Sequence, residues 1–522
     1  MRSRLRSAVV VLLLAAFTSA CARSQLIPGP TVHVAQGALR GGLGEGAQQF
    51  LDIPYAAPPV GPLRFAPPSP PAHWRGVRSA MQHGPACVQW EFDPPSLPSG
   101  TPTSENCLHL DVYAPRDARP DDRLPVLFFI HGGGNLQGSG ILFDGARFAR
   151  LTHSLMVTIN YRLGVDGWLA LPQLRGPEGV GNAGLLDQLQ ALRWVRRNIA
   201  AFGGDPHRIT IDGQSAGSEA VCDLLTTPLA KGLFQRAILE SGPCTYRTPY
   251  PPQAAEAISR GLAAAVGCTV SARVARCLRG VPTARLVAAS QAAPIASEVT
   301  GTPALPVSPA RAIRSGHWNK VPLIIGTTLD EAKLFEIGDP GVSASAYVGT
   351  LRAQWGRHAR AVLSRYPLNR YAGPFYALAA VETDSGTACY SYWMAQETAA
   401  QVPTYEEEFD DPRSPTLIGF QPPGIDMGNA HAAELAYLFG YRLSARPLTA
   451  SQQALGERMD RYWGRFAATG DPSGPGQQPW PRMRPGDPRV LELRPGHSTV
   501  SSTLFAAEHH CGFWATLEPR TQ

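Results

Sequence analysis

The chain has 522 residues, so length alone allows two or three domains, or one large α/β domain with long insertions. Apolar residues make up 44% and charged residues only 17%, which supplies a large core and argues against disorder. The formal charge of +6 falls to +3 once the arginines at 2, 4 and 6 are set aside with a targeting segment, and no run of Lys or Arg follows, which argues against nucleic-acid binding.

Residues 1–20 read as that targeting segment. Arg2, Arg4 and Arg6 form a basic start, residues 9–17 an apolar stretch too short to span a bilayer, and Thr18, Ser19, Ala20, Cys21 and Ala22 a small-residue end. Ala20-Cys21-Ala22 fits an A-x-A cleavage site. Ser19-Ala20-Cys21 also resembles a bacterial lipobox, in which Cys21 would carry a lipid anchor. Thr18 stands where that pattern prefers Leu, so free export is the preferred reading. No later stretch is apolar enough for a transmembrane helix. Export places the nine cysteines in an oxidising compartment, and eight remain beyond Cys21. Cys87 and Cys107 enclose a Pro-rich loop and Cys268 and Cys277 a short one, but spacing does not fix pairing.

Residues 30–113 read as an extended, Pro-rich antiparallel edge. Near-continuous apolar runs at 126–130, 155–159, 209–212, 237–239 and 323–325 read as strands buried on both faces. Between the second and third, Leu185, Leu189, Leu192, Val195 and Ile199 recur at helical spacing over 182–201. Asn182 is placed to cap that helix and Gly203-Gly204 to end it. Strand, helix, strand in this order builds a parallel sheet. The Ala-rich stretch 245–300 reads as a helical insertion.

Gly213-Gln214-Ser215-Ala216-Gly217 follows the run 209–212 directly and precedes a helix-compatible stretch. A G-x-S-x-G nucleophile elbow needs this context, because the turn is tight and its neighbours must lack bulk. A chance Gly/Ser turn is the bland alternative, and the flanking strand and helix weigh against it. His131-Gly132-Gly133-Gly134 ends the run 126–130 and has the form of a loop that supplies oxyanion donors. A serine needs a base, and the base an orienting acid. His317, His358, His431, His497, His509 and His510 all follow Ser215, and spacing alone selects none of them.

The sequence resembles the type-B carboxylesterase/lipase family, which includes the cholinesterases. The likeness runs in order from Cys87 through S-E-N-C-L (104–108), H-G-G-G (131–134), N-Y-R-L-G (160–164) and G-N-A-G-L-L-D-Q (181–188). It continues through F-G-G-D-P (202–206), G-Q-S-A-G (213–217), E-S-G (240–242), V-P-L-I-I-G (321–326), H-A-A-E (431–434), Y-L-F-G (437–440) and C-G-F-W (511–514). It implies an α/β-hydrolase fold over 26–517 as one domain: a large, mostly parallel sheet covered by helices, with an antiparallel N-terminal edge. It implies a triad of Ser215, Glu331 (next to Asp330) and His431, and oxyanion donors at the N–H groups of Gly133, Gly134 and Ala216. It also implies disulfides Cys87–Cys107 and Cys268–Cys277, with a third, Cys389–Cys511, similar to that of the cholinesterases. Cys222 and Cys244 are then left over and read as small buried hydrophobes.

The implied activity is hydrolysis of small-molecule carboxylic esters through an acyl-enzyme, with no metal or cofactor. An amidase, a lipase or a specialised bulky-ester hydrolase would use the same machinery. A non-catalytic binding role would fit a chain lacking part of the triad. Three departures stand out: Gln214 where the family has Glu, Asn106 where Asp is common, and Asp166. With no charge at 214, and with Trp90 the only Trp between Cys87 and Cys107, neutral esters are expected to be preferred over choline-type cations.

Overall fold

A computed structural model describes residues 26–517 apart from 92–95, 247, 293–294, 417–421 and 440–445. The targeting segment 1–20 and the lipid-anchor candidate Cys21 lie outside the described residues. The strands, in chain order, are β1 (Ile27–Val34), β2 (Gly37–Gly44), β3 (Ala47–Pro54), β4 (Val77–Ser79), β5 (Ala86–Cys87), β6 (Thr103–Ser104) and β7 (His109–Pro115). They continue with β8 (Leu124–Ile130), β9 (Leu155–Ile159), β10 (Gly204–Gln214), β11 (Arg236–Glu240), β12 (Leu323–Thr328), β13 (Thr404–Phe409), β14 (Val490–Leu493) and β15 (Thr499–Ser501).

One sheet runs in the order β1-β2-β3-β7-β9-β8-β10-β11-β12-β13-β14-β15, with β4 beside β2. From β9 through β14 every pairing is parallel. β1, β2, β3, β7 and β9 pair antiparallel in turn, as does the closing β14–β15 pair, while β4 joins β2 in parallel. Every residue of β8, β9, β12 and β13 is buried, as strands covered on both faces require. One core cluster packs Leu185, Leu189, Leu192 and Val195 of the helix Ala183–Asn198 against Val126, Phe128, Ile209 and Ile211 of the sheet. The opposite face carries Leu127, Phe129, Ile238 and Ile324 against Leu455, Met459, Trp463 and Phe466 of the helix Ala450–Thr469.

Two expectations change. Asn182 precedes the helix Ala183–Asn198 but makes no capping bond. Its amide donates to Val299 O at 2.9 Å and its Oδ1 accepts from Val299 N at 2.8 Å, because docking the 245–300 insertion satisfies those groups better than a helix end does. That insertion contains the helices Pro252–Ala265, Val274–Gly280 and Thr283–Gln291. Cys222 and Cys244 are buried, but as a disulfide: the helix Ala216–Thr226 and the loop after β11 bring their Cα atoms to 5.2 Å, within bridging reach. Cys87–Cys107, Cys268–Cys277 and Cys389–Cys511 are also bridged. No helix among the described residues is long and apolar enough to cross a membrane.

Candidate active site

The loops beyond the C-terminal ends of β8, β10, β12 and β13 carry the candidate residues, where open parallel sheets place ligand sites. Ser215 follows β10 at once and begins the helix Ala216–Thr226, with φ 58° and ψ −126°. A side chain is rarely tolerated there, since the same backbone position in a type II′ turn favours glycine. The flanking glycines are a steric necessity. A Cβ on Gly213 would lie 2.3 Å from Gly217 O, and one on Gly217 would lie 2.0 Å from Ile130 O.

The glycine loop after β8 packs onto this turn. A Cβ on Gly132 would stand 2.9 Å from the Ser215 Cβ, and one on Gly133 would stand 2.2 Å from Gln137 O. Gly133 and Gly134 both have positive φ, at 105° and 63°. Ala216 is the first residue of its helix, so its N–H has no intrahelical acceptor. His131 lies underneath, stacked 4.5 Å from Tyr161, with Nδ1 2.8 Å from Gly132 O. Burial lowers its pKa to about 4, so it is a neutral spacer.

Glu331 begins the 3-10 helix Glu331–Lys333 after β12. Its Oε2 lies 2.5 Å from His431 Nδ1, while its Oε1 accepts from Thr327 Oγ1 at 2.8 Å and Thr328 N at 2.9 Å. Burial alone would raise this carboxyl. The charge and hydrogen bond of His431, the adjoining Ser241 hydroxyl and the Thr328 N–H outweigh burial and hold it below its ordinary value. Asp330 turns away, to Lys333 at 3.0 Å. The geometry therefore separates two adjacent acids that spacing could not.

His431 presents Nε2 to the elbow, 3.4 Å from the Gln214 side-chain nitrogen. The other histidines stand elsewhere. His317 and His497 are exposed, and His358 pairs with Arg357. His509 is buried, but Asp384 and Glu408 occupy both its nitrogens at 2.6 Å each, which leaves none to serve as a base. His510 packs on Tyr366.

Behind the pair lie further buried acids. Burial raises the carboxyls of Asp212, Glu240, Glu407 and Glu434, and their mutual charges add to it. Trp463 donates to Glu240 at 2.7 Å, and Gly326 leaves the room that Glu407 fills. Burial and mutual repulsion thus disfavour charge on these four acids, whereas the bonds made to Glu331 favour its ionised form. Two motif residues pair deeper in the fold: Arg162 holds Asp187 through Nε at 2.7 Å and Nη2 at 2.8 Å. Asp166 lines a small cavity with Arg64, Glu105, Arg162 and the Cys87–Cys107 bridge, and burial pushes its carboxyl to about 7. Among the described residues no group of His, Cys, Asp or Glu could hold a metal ion.

Two neighbours have no role assigned by the sequence. Phe335 is 60% exposed, yet its ring lies 4.8 Å from the His431 imidazole. Ser241 has φ 54° and sits beside Glu331; the E-S-G motif pointed to the place without giving it a role.

A parallel sheet with a strained serine at one strand end, a glycine loop against it and a His–Glu pair beside it defines an α/β-hydrolase. The chain belongs to the carboxylesterase family, whose model matches residues 28–514. It is 33% identical to a cocaine esterase of Oryctolagus cuniculus over 95% of both chains. It is 34% identical to an acylcarnitine hydrolase of Mus musculus, covering 86% of this chain and 83% of that one. Among solved structures it resembles a thermophilic PNB esterase, with a TM-score of 0.79 and 30% identity over 92% of this chain and 99% of the other. The protein is a serine carboxylesterase acting on small-molecule esters.

Proposed function

We propose that Ser215, His431 and Glu331 form the catalytic triad of a two-step ester hydrolysis. The His431–Glu331 contact at 2.5 Å beside the G-x-S-x-G elbow carries this reading. His431 Nε2 takes the proton from the Ser215 hydroxyl, which attacks the ester carbonyl. The N–H groups of Gly133, Gly134 and Ala216 receive the developing oxyanion, each worth about 2.7–4 kcal/mol in such sites. His431 then protonates the departing alkoxide. Water, activated by the same base, releases the acid from the acyl-enzyme. Glu331 keeps Nδ1 protonated and stabilises the imidazolium.

Neutral esters are the preferred substrates, because Gln214 adds no charge next to His431. Residues 26–517 form one hydrolase domain exported behind the segment 1–20, and four disulfides suit an oxidising compartment. The test is covalent labelling by an aryl organophosphonate followed by peptide mapping. The label is expected on Ser215, with loss of p-nitrophenyl ester hydrolysis in step. Full labelling at another residue would refute the assignment.

A further inference from the structure

The end of β11 and the loop 241–244 that follows it touch both halves of the site. On one side Ser215 N donates to Glu240 O at 2.8 Å, and the Ser218 hydroxyl donates to Gly242 O at 2.7 Å. Gly242 lies so close to the elbow that a Cβ there would be 2.6 Å from Ser215 O and 2.7 Å from the Ser218 Cβ. On the other side Ser241 N donates to Gly326 O at 2.9 Å, on the strand whose Thr327 and Thr328 hold Glu331. The loop is thus a spacer between the elbow and the acid.

Strain lies at the elbow and in the spacer alike. Ser215 and Ser241 each have a side chain and a positive φ, at 58° and 54°. Such backbone persists only where its surroundings over-determine it. Hydrogen bonds supply part of that constraint. The remaining constraint is covalent: Cys222, two turns along the helix that Ser215 begins, is bonded to Cys244 at the end of the loop.

We propose that the Cys222–Cys244 disulfide is a positioning device for the reaction, locking the loop 241–244 against the nucleophile helix and so fixing Ser215 relative to the Glu331–His431 pair. The proposal rests on Ser215 being the nucleophile. Neither cysteine needs to meet substrate. Reacting groups must be held within about 0.5 Å of their productive places, and a misplacement of about 1 Å costs on the order of a hundredfold in rate. Loosening the bridge therefore acts on the chemical step and leaves substrate binding nearly unchanged.

The experiment compares exported wild type, Cys222→Ala/Cys244→Ala, and Cys268→Ala/Cys277→Ala, whose bridge joins the end of the helix Pro252–Ala265 to the helix Val274–Gly280 in the insertion. Each is assayed for kcat and KM with p-nitrophenyl butyrate and for the rate of organophosphonate labelling. In the first variant kcat and labelling rate are expected to fall about tenfold or more, with KM within about twofold. The second keeps kcat within about twofold. A folded first variant with wild-type kcat, a change confined to KM, or an equal kcat loss in the second variant would overturn the proposal.

Should the first variant fail to fold, folded wild type is reduced in steps with a phosphine. Activity is read first, and free thiols are then mapped. Activity is expected to fall as Cys222 and Cys244 appear as thiols, and full kcat with both reduced would overturn the proposal. Wild type that resists labelling at Ser215 would instead count against the triad itself.

Discussion

The ring of Phe335 lies 4.8 Å from the His431 imidazole, tilted 45° to it, and most of the Phe335 surface faces solvent. An exposed aromatic held over a candidate base is an apolar wall at the edge of the reaction centre. Phe335→Ala should cost little stability, because little of the ring is buried. It should raise KM for aryl or naphthyl esters about three- to tenfold, in line with an aromatic contact of about 0.5–1.5 kcal/mol. Hydrolysis of a small aliphatic ester should change by less than twofold. Equal losses on both substrates would mean that Phe335 supports His431 rather than contacting substrate.

The sequence was most legible where a residue's local requirement and its role coincide. Gly213, Gly217 and Gly133 are needed because backbone atoms lie within 2.0–2.3 Å of where their Cβ atoms would be, and such glycines recur in recognisable spacing. The apolar runs of β8, β9 and β12 announce doubly covered strands. β13 gives no such signal. Its sequence, Thr404-Tyr405-Glu406-Glu407-Glu408-Phe409, reads as exposed, yet all six residues are buried. Glu408 meets His509, Glu407 fills the space over Gly326, and neither partner is near in sequence. Cys222–Cys244 was illegible for a related reason: whether two cysteines meet depends on where a helix and a loop are brought together, not on their sequence separation of 22.

Ser215→Gly separates catalysis from strain. Glycine is at ease at φ 58° and ψ −126°, and serine is not. The variant should lose about a millionfold in kcat, as removal of a triad nucleophile does. Its melting temperature should equal or exceed that of wild type. Differential scanning fluorimetry beside a sensitive ester assay tests both halves. A clear drop in melting temperature would show that the elbow is not a strained point, and substantial residual turnover would remove Ser215 from the mechanism.

The buried His509 should make stability depend on pH. Burial alone would favour the neutral imidazole, but the charges of Asp384 and Glu408 outweigh it and hold the pKa well above its ordinary range. Glu406 also acts on this network, since its own carboxyl is raised by burial and by the charge of Glu408. A raised folded value means that the contribution is complete below the unfolded value of about 6.5 and is lost as pH rises through the folded value. His509→Gln leaves two buried acids without their cation and should cost about 3–5 kcal/mol at pH 6. The gap between variant and wild type should narrow in alkali. Urea midpoints across pH 6 to 10 measure it, and a gap that widens with pH would contradict the assignment of a buried imidazolium.

Gln214 is where charge selectivity should be adjustable. It is buried, it precedes Ser215, and its side-chain nitrogen is 3.4 Å from His431 Nε2. Gln214→Glu would put a carboxyl among groups that resist another charge. Burial raises the nearby Glu434 carboxyl, and Glu240 and Glu331 raise it further. The new acid would feel the same burial and the same neighbours, so it too should titrate above the ordinary carboxylate range. In mildly acid solution it would be neutral and behave much as Gln does. As pH rises it would ionise and attract a cationic substrate. The kcat/KM ratio of acetylthiocholine to a neutral thioester of matched size should therefore be nearly flat with pH in wild type. In Gln214→Glu it should climb about three- to tenfold, a change of up to ~1.4 kcal/mol. That climb should persist in salt more than a surface effect would, because buried charges are weakly screened. A wild type that already favours the cationic ester, or a variant whose ratio ignores pH, would show that the charge at 214 does not set this preference.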